Sequence, residues 1–299
     1  MRQFISSILS ASFLAALSVS EESCWPEWSG LASDFETLFI EDETCSDAAR
    51  AAIRLAFHDC FPGSCDGSII NANECTERVE NTQMVRICGT LGEKADEYGL
   101  GTADVIQFAA GKPFLIPVRS YCQPDAPAIG LASCSGGPVI SFYSGRPDSF
   151  LPTPLGMMPN ATTDARTMVD LFAQHNFSKT ELVALTGAHT IGRQLDGTDM
   201  DNTPGEWDHK FYSETSSNSA PQPVAADTFL AQDGETGEEW RAVGKTQESF
   251  KDAFIPAMEK LSLMGSNKDH MTDCSGVVQS YAGRAKGRRR VLLKGKRLE

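Results

Sequence analysis

Arg54 and His58 stand four residues apart in the stretch IRLAFHDCFPGSCDGSII, Ile53 to Ile70, and Asp59, Cys60, Cys65, Asp66 and Ser68 follow at once. On a helix, positions four apart lie one turn above each other, so the guanidinium and the imidazole project toward the same space. A neutral imidazole there can take and return a proton. A guanidinium, always charged, can stabilise negative charge as it develops. The pair suits heterolysis of a polar bond in a bound ligand, although R-x-x-x-H alone is more often a surface pair or a satisfied core histidine. Asp59, Asp66 and Ser68, with the carbonyls between them, are hard oxygen donors on a tight loop, the ligand type that Ca²⁺ takes. Cys60 and Cys65 are near enough in sequence to close that loop by a disulfide. An ordinary Asp/Ser/Gly turn is the plain alternative.

A second histidine changes the weight of the first. His189, in LTGAHTIGR, follows Leu182, Val183 and Leu185 on an expected helix, where a buried histidine bonded to backbone would be the ordinary reading. Downstream runs DNTPGEWD, whose Asp201, Thr203 and Asp208 form with Thr190 a second cluster of oxygen donors. Two histidine-bearing helices, each tied to its own oxygen loop, would rarely coincide by accident.

Helical periodicity dominates the elements that must position these groups. SDAARAAIRLAFHD places Ala49, Ile53 and Phe57 on one stripe and Arg54 and His58 on the next, with Ser46 or Asp47 as cap. GTADVIQFAAG reads as a short buried helix ending at Gly111. SKTELVALTGAHTIG opens with Ser178 and Glu181 in capping-box register and carries His189 mid-helix. TQESFKDAFIPAMEKLSLMG is expected to kink at Pro256 and stop at Gly265. Pro/Gly/Asp/Ser-rich loops run from Cys122 to Pro154 and from Asp196 to Ala226. Nothing sustains period-two alternation, so the expectation is a mainly α domain of about ten helices in two lobes divided near Gly145 to Pro159.

The chain has 299 residues, 41% hydrophobic and 22% charged, enough for a sizeable core. Its start, MRQFISSILSASFLAALSVSEES, reads as a secretory signal peptide over residues 1–20, its apolar stretch too short for a membrane span. Nine cysteines fit an oxidising compartment, with an odd thiol left over. Asn160-Ala161-Thr162 and Asn176-Phe177-Ser178 are glycosylation sequons. Net charge is −14, of which Gly283–Glu299 contributes +7 and the rest −21. So acidic a body disfavours nucleic acid as partner. The basic stretch 281–299 reads as a solvated, disordered tail.

The motifs RLAFHDC, FYSGRPD, ELVALTGAHTIGR, NTPGEWDHKFY and MTDCS resemble the secreted haem peroxidases of the plant, fungal and bacterial superfamily, from Cys24 to about Val278. The resemblance implies a two-lobed helical domain over residues 21–280, a distal lobe (21–150) and a proximal lobe (151–280), with one haem b between them. It makes His58 the distal acid–base catalyst, Arg54 its electrostatic partner, and Asn81 the acceptor of a hydrogen bond from His58. His189 becomes the axial iron ligand and Asp233 the acid behind it. Phe57 is the residue typical of the secreted classes. Arg193 and Asp196 are implied to meet the haem propionates. Two Ca²⁺ ions are implied: a distal one on Asp59, Asp66 and Ser68 with carbonyls near Pro62 and Ser64, and a proximal one on Thr190, Asp201, Thr203, Asp208 and the Glu206 carbonyl. The fungal pattern pairs Cys24 with Cys274 and Cys45 with Cys134, the plant pattern Cys60 with Cys65. A Cys75–Cys88 pair is the remaining expectation, leaving Cys122.

Departures from the resemblance narrow the substrate. Manganese peroxidases carry two glutamates where this chain has Asp47 and Ala51. Lignin-oxidising relatives use a surface tryptophan where it has Ala184. What the resemblance leaves is a secreted, monomeric peroxidase, with no membrane partner, that consumes hydrogen peroxide and oxidises small aromatic donors at a haem edge near Pro152 and Pro154. The rival readings are an ascorbate- or cytochrome c-type peroxidase, opposed by Phe57 and the cysteines, and a secreted haem-binding protein without catalysis.

Overall fold

Alanine-rich sequence and a serine cap create the helix that carries the first pair. Helix α2 (Asp47–Cys60) starts at Ser46, whose Oγ accepts from the Ala49 amide at 3.2 Å. Such a cap contributes about 1 kcal/mol. Ala49, Ala52, Ile53, Leu55, Ala56 and Cys60 face the core, which leaves Arg54 on the opposite side. The computed structural model describes Cys24 and residues 26–41, 44–111, 137–194 and 196–277.

In the first half of the chain, α1 (Pro26–Leu38), α5 (Val85–Tyr98) and α6 (Thr102–Gly111) surround α2, with two short helices, α3 (Ser68–Asn71) and α4 (Glu74–Glu77), in the loop after it. Helix α6 is buried along nearly its whole length and packs directly on α2. The second half holds α7 (Ala165–Gln174), α8 (Lys179–Thr186), α9 (Lys210–Ser217), α10 (Ala225–Gln232) and α11 (Thr236–Val243). Helix α12 (Gln247–Ser262) packs on both α8 and α2 and so joins the halves, with Pro256 inside it. Strand content is slight: β1 (Ile40–Glu41) pairs antiparallel with β2 (Thr44–Cys45), and β3 (Tyr143–Ser144) with β4 (Thr272–Asp273), Tyr143 opposite Asp273. The mainly helical expectation holds.

One continuous apolar core runs through both halves. Trp28 lies against Phe108 and Phe142 in the first, while Trp207 stacks on Phe250 at 3.8 Å and Tyr212 meets Trp240 edge-on in the second. Disulfides join Cys24 to Cys274, Cys60 to Cys65 and Cys75 to Cys88, as expected. Cys45 is disulfide-bonded too. Cys134 and Cys122 lie outside the described residues, as do the signal peptide and the basic tail.

The helix expected to hold His189 ends earlier than its sequence suggests. The capping box at Ser178 and Glu181 is present, but α8 stops at Thr186 and His189 sits on a 3₁₀ turn, Gly187–Ile191. Gly187 lies so close to its neighbours that a Cβ would come within 2.4 Å of the Tyr212 hydroxyl and the Phe250 ring. The tighter turn presses backbone, not side chain, against those rings.

Candidate active site

His58 projects from the last turn of α2 with both ring nitrogens engaged. Nδ1 lies 2.8 Å from Asn81 Oδ1, and Arg54 Nε donates to Nε2 at 3.2 Å. An amide oxygen can only accept and a guanidinium can only donate. Nδ1 therefore carries the proton, and Nε2 is the free base. Burial, reinforced by the Arg54 charge and only partly opposed by Asn81, pushes His58 down to about 3. It is neutral at any physiological pH. Asn81 is itself held: its Nδ2 donates to the Glu74 carbonyl at 3.2 Å. Arg54 also donates to the Glu80 carbonyl at 3.3 Å and to the Gln83 amide oxygen. Phe57 stacks on Phe61 beside the pair.

His189 has the complementary environment. Its Nδ1 lies 2.8 Å from Asp227 Oδ2, and Asp227 is 2% exposed. Burial lowers the proton affinity of His189, but the charge and hydrogen bond of Asp227 together outweigh it, so the net shift is upward. Arg54 also pulls it down, which places the guanidinium of α2 within electrostatic reach of this second imidazole. Nε2 of His189 makes no hydrogen bond among the described residues, and 41% of the side chain is open although Thr190 and Ile191 beside it are buried. An imidazole braced behind by a carboxylate and free in front is built to ligate a metal. The residues present fit a haem iron.

Asp233, the expected partner of His189, does not reach it. It follows the last residue of α10, and its Oδ1 accepts from the Glu235 and Thr236 amides, capping the entry to α11. Asp227 takes the place because it lies on the inward stripe of α10 with Ala226, Leu230 and Ala231. An acid on an otherwise apolar helical stripe was the available signal. Glu74 was also missed. Its carboxylate accepts from the Thr153 amide at 2.8 Å and hydroxyl at 2.9 Å, and pairs with Arg78 at 2.6 Å. Glu74 thus connects the Asn81–His58 pair to the exposed loop of Pro152 and Pro154.

Both oxygen loops assemble. Asp59, buried at the end of α2, accepts from the Gly67 amide at 3.1 Å, while Asp66 Oδ1 accepts from the Ser68 amide. Burial first, then the charges of Asp66 and Glu74, raise Asp59 to about 8 against the bonds from Gly67 and Ile69. Ser68 Oγ is buried without a hydrogen-bond partner among the described residues. Carboxylates short of counter-charge beside an unpaired hydroxyl fit a hard cation. Pro62 and Ser64, whose carbonyls were expected to contribute, lie within the same loop. In the proximal loop Thr190 Oγ1 donates to Asp201 at 2.8 Å. Thr203 Oγ1 lies 2.9 Å from Asp201 and 3.0 Å from Asp208, and the Glu206 carbonyl lies 3.4 Å from Thr190 Oγ1. Burial raises Asp201, against hydrogen bonds from Thr203 and Thr190. Among the described residues no three His, Cys, Asp or Glu side chains converge as a metal site by themselves. Hydroxyl and carbonyl oxygens must complete both sets.

The expected propionate contacts are otherwise occupied. Arg193 bonds Asp199 at 2.6 Å and Asp47 at 3.0 Å, and Asp196 accepts from the Thr198 amide in its own turn.

The helical fold thus carries an imidazole–guanidinium pair on α2 and a carboxylate-braced imidazole just after α8. Residues 31–252 match the Peroxidase family, residues 247–288 match the fungal peroxidase extension region, and the chain belongs to the peroxidase family. It is similar to versatile peroxidase VPS1 of Pleurotus eryngii, 28% identical over 82% of this chain and 72% of the relative. It is also similar to a peroxidase of Arthromyces ramosus, 26% over 85% and 75%, and to a low-redox potential peroxidase of Taiwanofungus camphoratus, 28% over 84% and 77%. The protein is thus an enzyme that reduces hydrogen peroxide and oxidises small donors, with haem as its cofactor.

Proposed function

We propose that His58 Nε2 is the base that takes the proton from one oxygen of hydrogen peroxide and returns it to the other. The observation carrying this is the pair of opposed hydrogen bonds that fixes its tautomer, Asn81 at Nδ1 and Arg54 at Nε2. Arg54 must leave Nε2 for peroxide to enter, and its guanidinium then faces the negative charge on the departing oxygen. Asn81 keeps the proton on Nδ1 throughout. His189 would hold haem b at its iron through Nε2, and Asp227 would raise that nitrogen's donor strength. When bound, the haem supplies the electrons that cleave the O–O bond and regains them singly from reducing substrates.

Small phenols and similar donors are the proposed reductants, approaching near the exposed Pro152 and Pro154. Mn(II) is disfavoured: Ala51 offers no ligand, and Asp47 is paired with Arg193. A protein-surface tryptophan route is disfavoured too: Ala184 stands at the position such relatives use, and the tryptophans among the described residues, Trp28, Trp207 and Trp240, are all buried, while Trp25 lies outside the described residues. The two oxygen loops would each hold one Ca²⁺ as a structural ion. The enzyme is proposed to be secreted and monomeric, and no helix among the described residues is long and apolar enough to cross a membrane. Steady-state assays of the haem-loaded protein with peroxide and either a phenol or Mn(II) test the substrate assignment. Turnover of the phenol and none of Mn(II) is expected; saturable Mn(II) oxidation would overturn it.

A further inference from the structure

Arg50, Arg54 and His58 occupy successive turns of α2. Arg54 and His58 have roles in the reaction. Arg50 has a different setting: its side chain is 8% exposed, and its guanidinium reaches three main-chain carbonyls. Nε donates to Ile191 at 2.9 Å, Nη2 to Pro204 at 3.0 Å, and Nη1 to Cys45. Ile191 stands two residues after His189. Pro204 lies within the proximal oxygen loop, next to Thr203. Cys45 belongs to β2, just ahead of α2.

This single group therefore ties the helix of the distal pair to the segment of the proximal histidine. Among the described residues, main-chain hydrogen bonds do not connect α2 with residues 187–206. The other polar link across that gap, Arg193 to Asp47, is 38% and 76% exposed at its two ends, where solvent screens an ion pair. The Arg50 side chain is largely withdrawn from water, and its carboxylate neighbour, Asp47 at 3.6 Å, is itself exposed. Releasing the carbonyl bonds would therefore leave a mostly desolvated charge poorly compensated. Only a planar fork with several donors can satisfy carbonyls from three directions at once.

We propose that Arg50 is a positioning residue of the peroxide reaction: its buried fork to the Ile191 and Pro204 carbonyls fixes the spacing between the Arg54–His58 pair and His189. The inference rests on the roles proposed above for those three residues. If the strut is lost, the two histidine-bearing segments can shift relative to each other. His58 then drifts from its working distance, and in some molecules it can close on the iron as a second imidazole ligand, which turns a ferric haem low-spin.

The test compares the haem-loaded full chain with Arg50→Met, Arg50→Lys and a control, Leu31→Ala, which empties a core position on α1 away from the cleft. Two quantities are read: the spin state in the ferric visible spectrum, and the second-order rate constant with hydrogen peroxide. Arg50→Met should gain low-spin bands and lose at least about tenfold in rate, because a misplacement of about 1 Å can cost about a hundredfold. Arg50→Lys, able to reach one carbonyl at a time, should fall between it and wild type. Leu31→Ala should lose thermal stability while keeping the wild-type spectrum and rate. The proposal is overturned if either Arg50 variant matches wild type in both readings, or if Leu31→Ala shows the same losses as Arg50→Met. A wild-type protein that binds haem but does not react with peroxide would overturn the catalytic roles themselves, a failure distinct from that of the strut.

Discussion

At the scale of single residues, two histidines with opposite electrostatics divide the work. His58 is depressed to about 3 from its ordinary 6.5, so it stays an acceptor. In the unfolded chain it takes up a proton below pH 6.5, whereas the folded protein holds it neutral until about 3. Stability drawn from this residue is therefore complete above pH 6.5 and is lost as pH falls through that window. For the same reason the rate of the peroxide reaction should be flat from neutral pH down to about 4, read by rapid mixing; a midpoint near 6.5 would mean that His58 titrates as a free imidazole. His189 is pushed the other way by Asp227. Asp227→Asn should keep haem but slow the peroxide reaction by about tenfold to a hundredfold, while Asp233→Asn leaves it unchanged. The reverse ranking would restore the acid expected from sequence. That expectation failed because ends of neighbouring helices are hard to place without the packing, and Asp233 and Asp227 are six residues apart on one short run. The pairing of Arg54 with His58 was legible from their spacing of four; Glu74 was not, since its carboxylate serves a threonine distant in sequence.

At the scale of elements, the two oxygen loops adjoin the segments that carry the histidines, which is where the proposed cations would act. Asp59 lies in the last turn of α2 directly after His58, and Thr190 follows His189 directly. Their donors were legible because Asp, Ser and Thr crowd two short stretches. The 3₁₀ turn under His189 was not, because nothing local shows that Tyr212 and Phe250 press on Gly187. Thorough removal of Ca²⁺ should lower the unfolding temperature and speed haem release to an acceptor protein. With a cation bound at about a hundred times its dissociation constant, the loss is about 2.7 kcal/mol per site. Indifference to a strong chelator would count against both loops. Gly67 is a sharper probe of the distal loop. It has φ +71°, and a Cβ there would lie 2.8 Å from the Ala103 amide nitrogen on α6. Gly67→Ala should destabilise by about 1–3 kcal/mol in denaturant unfolding. A neutral effect would mean that the loop is free to rearrange.

At the scale of the whole molecule, the proposed site depends on the two halves of the chain staying joined. Helix α12 packs on both, and the Cys24–Cys274 disulfide spans 250 residues. Replacing both cysteines by serine should cost about 2–5 kcal/mol, visible as a lower midpoint of denaturation. The helical class could be read from sequence because periodicity is a local property, whereas the Cys24–Cys274 pairing came from the family resemblance, since nothing local joins residues so far apart. The packing of α8 on α11 and α12, and the buried fork of Arg50, depend on contacts between distant segments, which spacing does not encode. The central claim is that His58, held in one tautomer by Asn81 and Arg54, moves the proton that lets peroxide break. Rapid mixing of the haem-loaded ferric protein with hydrogen peroxide, wild type against His58→Ala, tests it most directly. The account predicts a fast second-order spectral change in wild type and a fall of about 10²–10⁴ in its rate constant in the variant, with haem still bound. An unchanged rate constant in His58→Ala would contradict it.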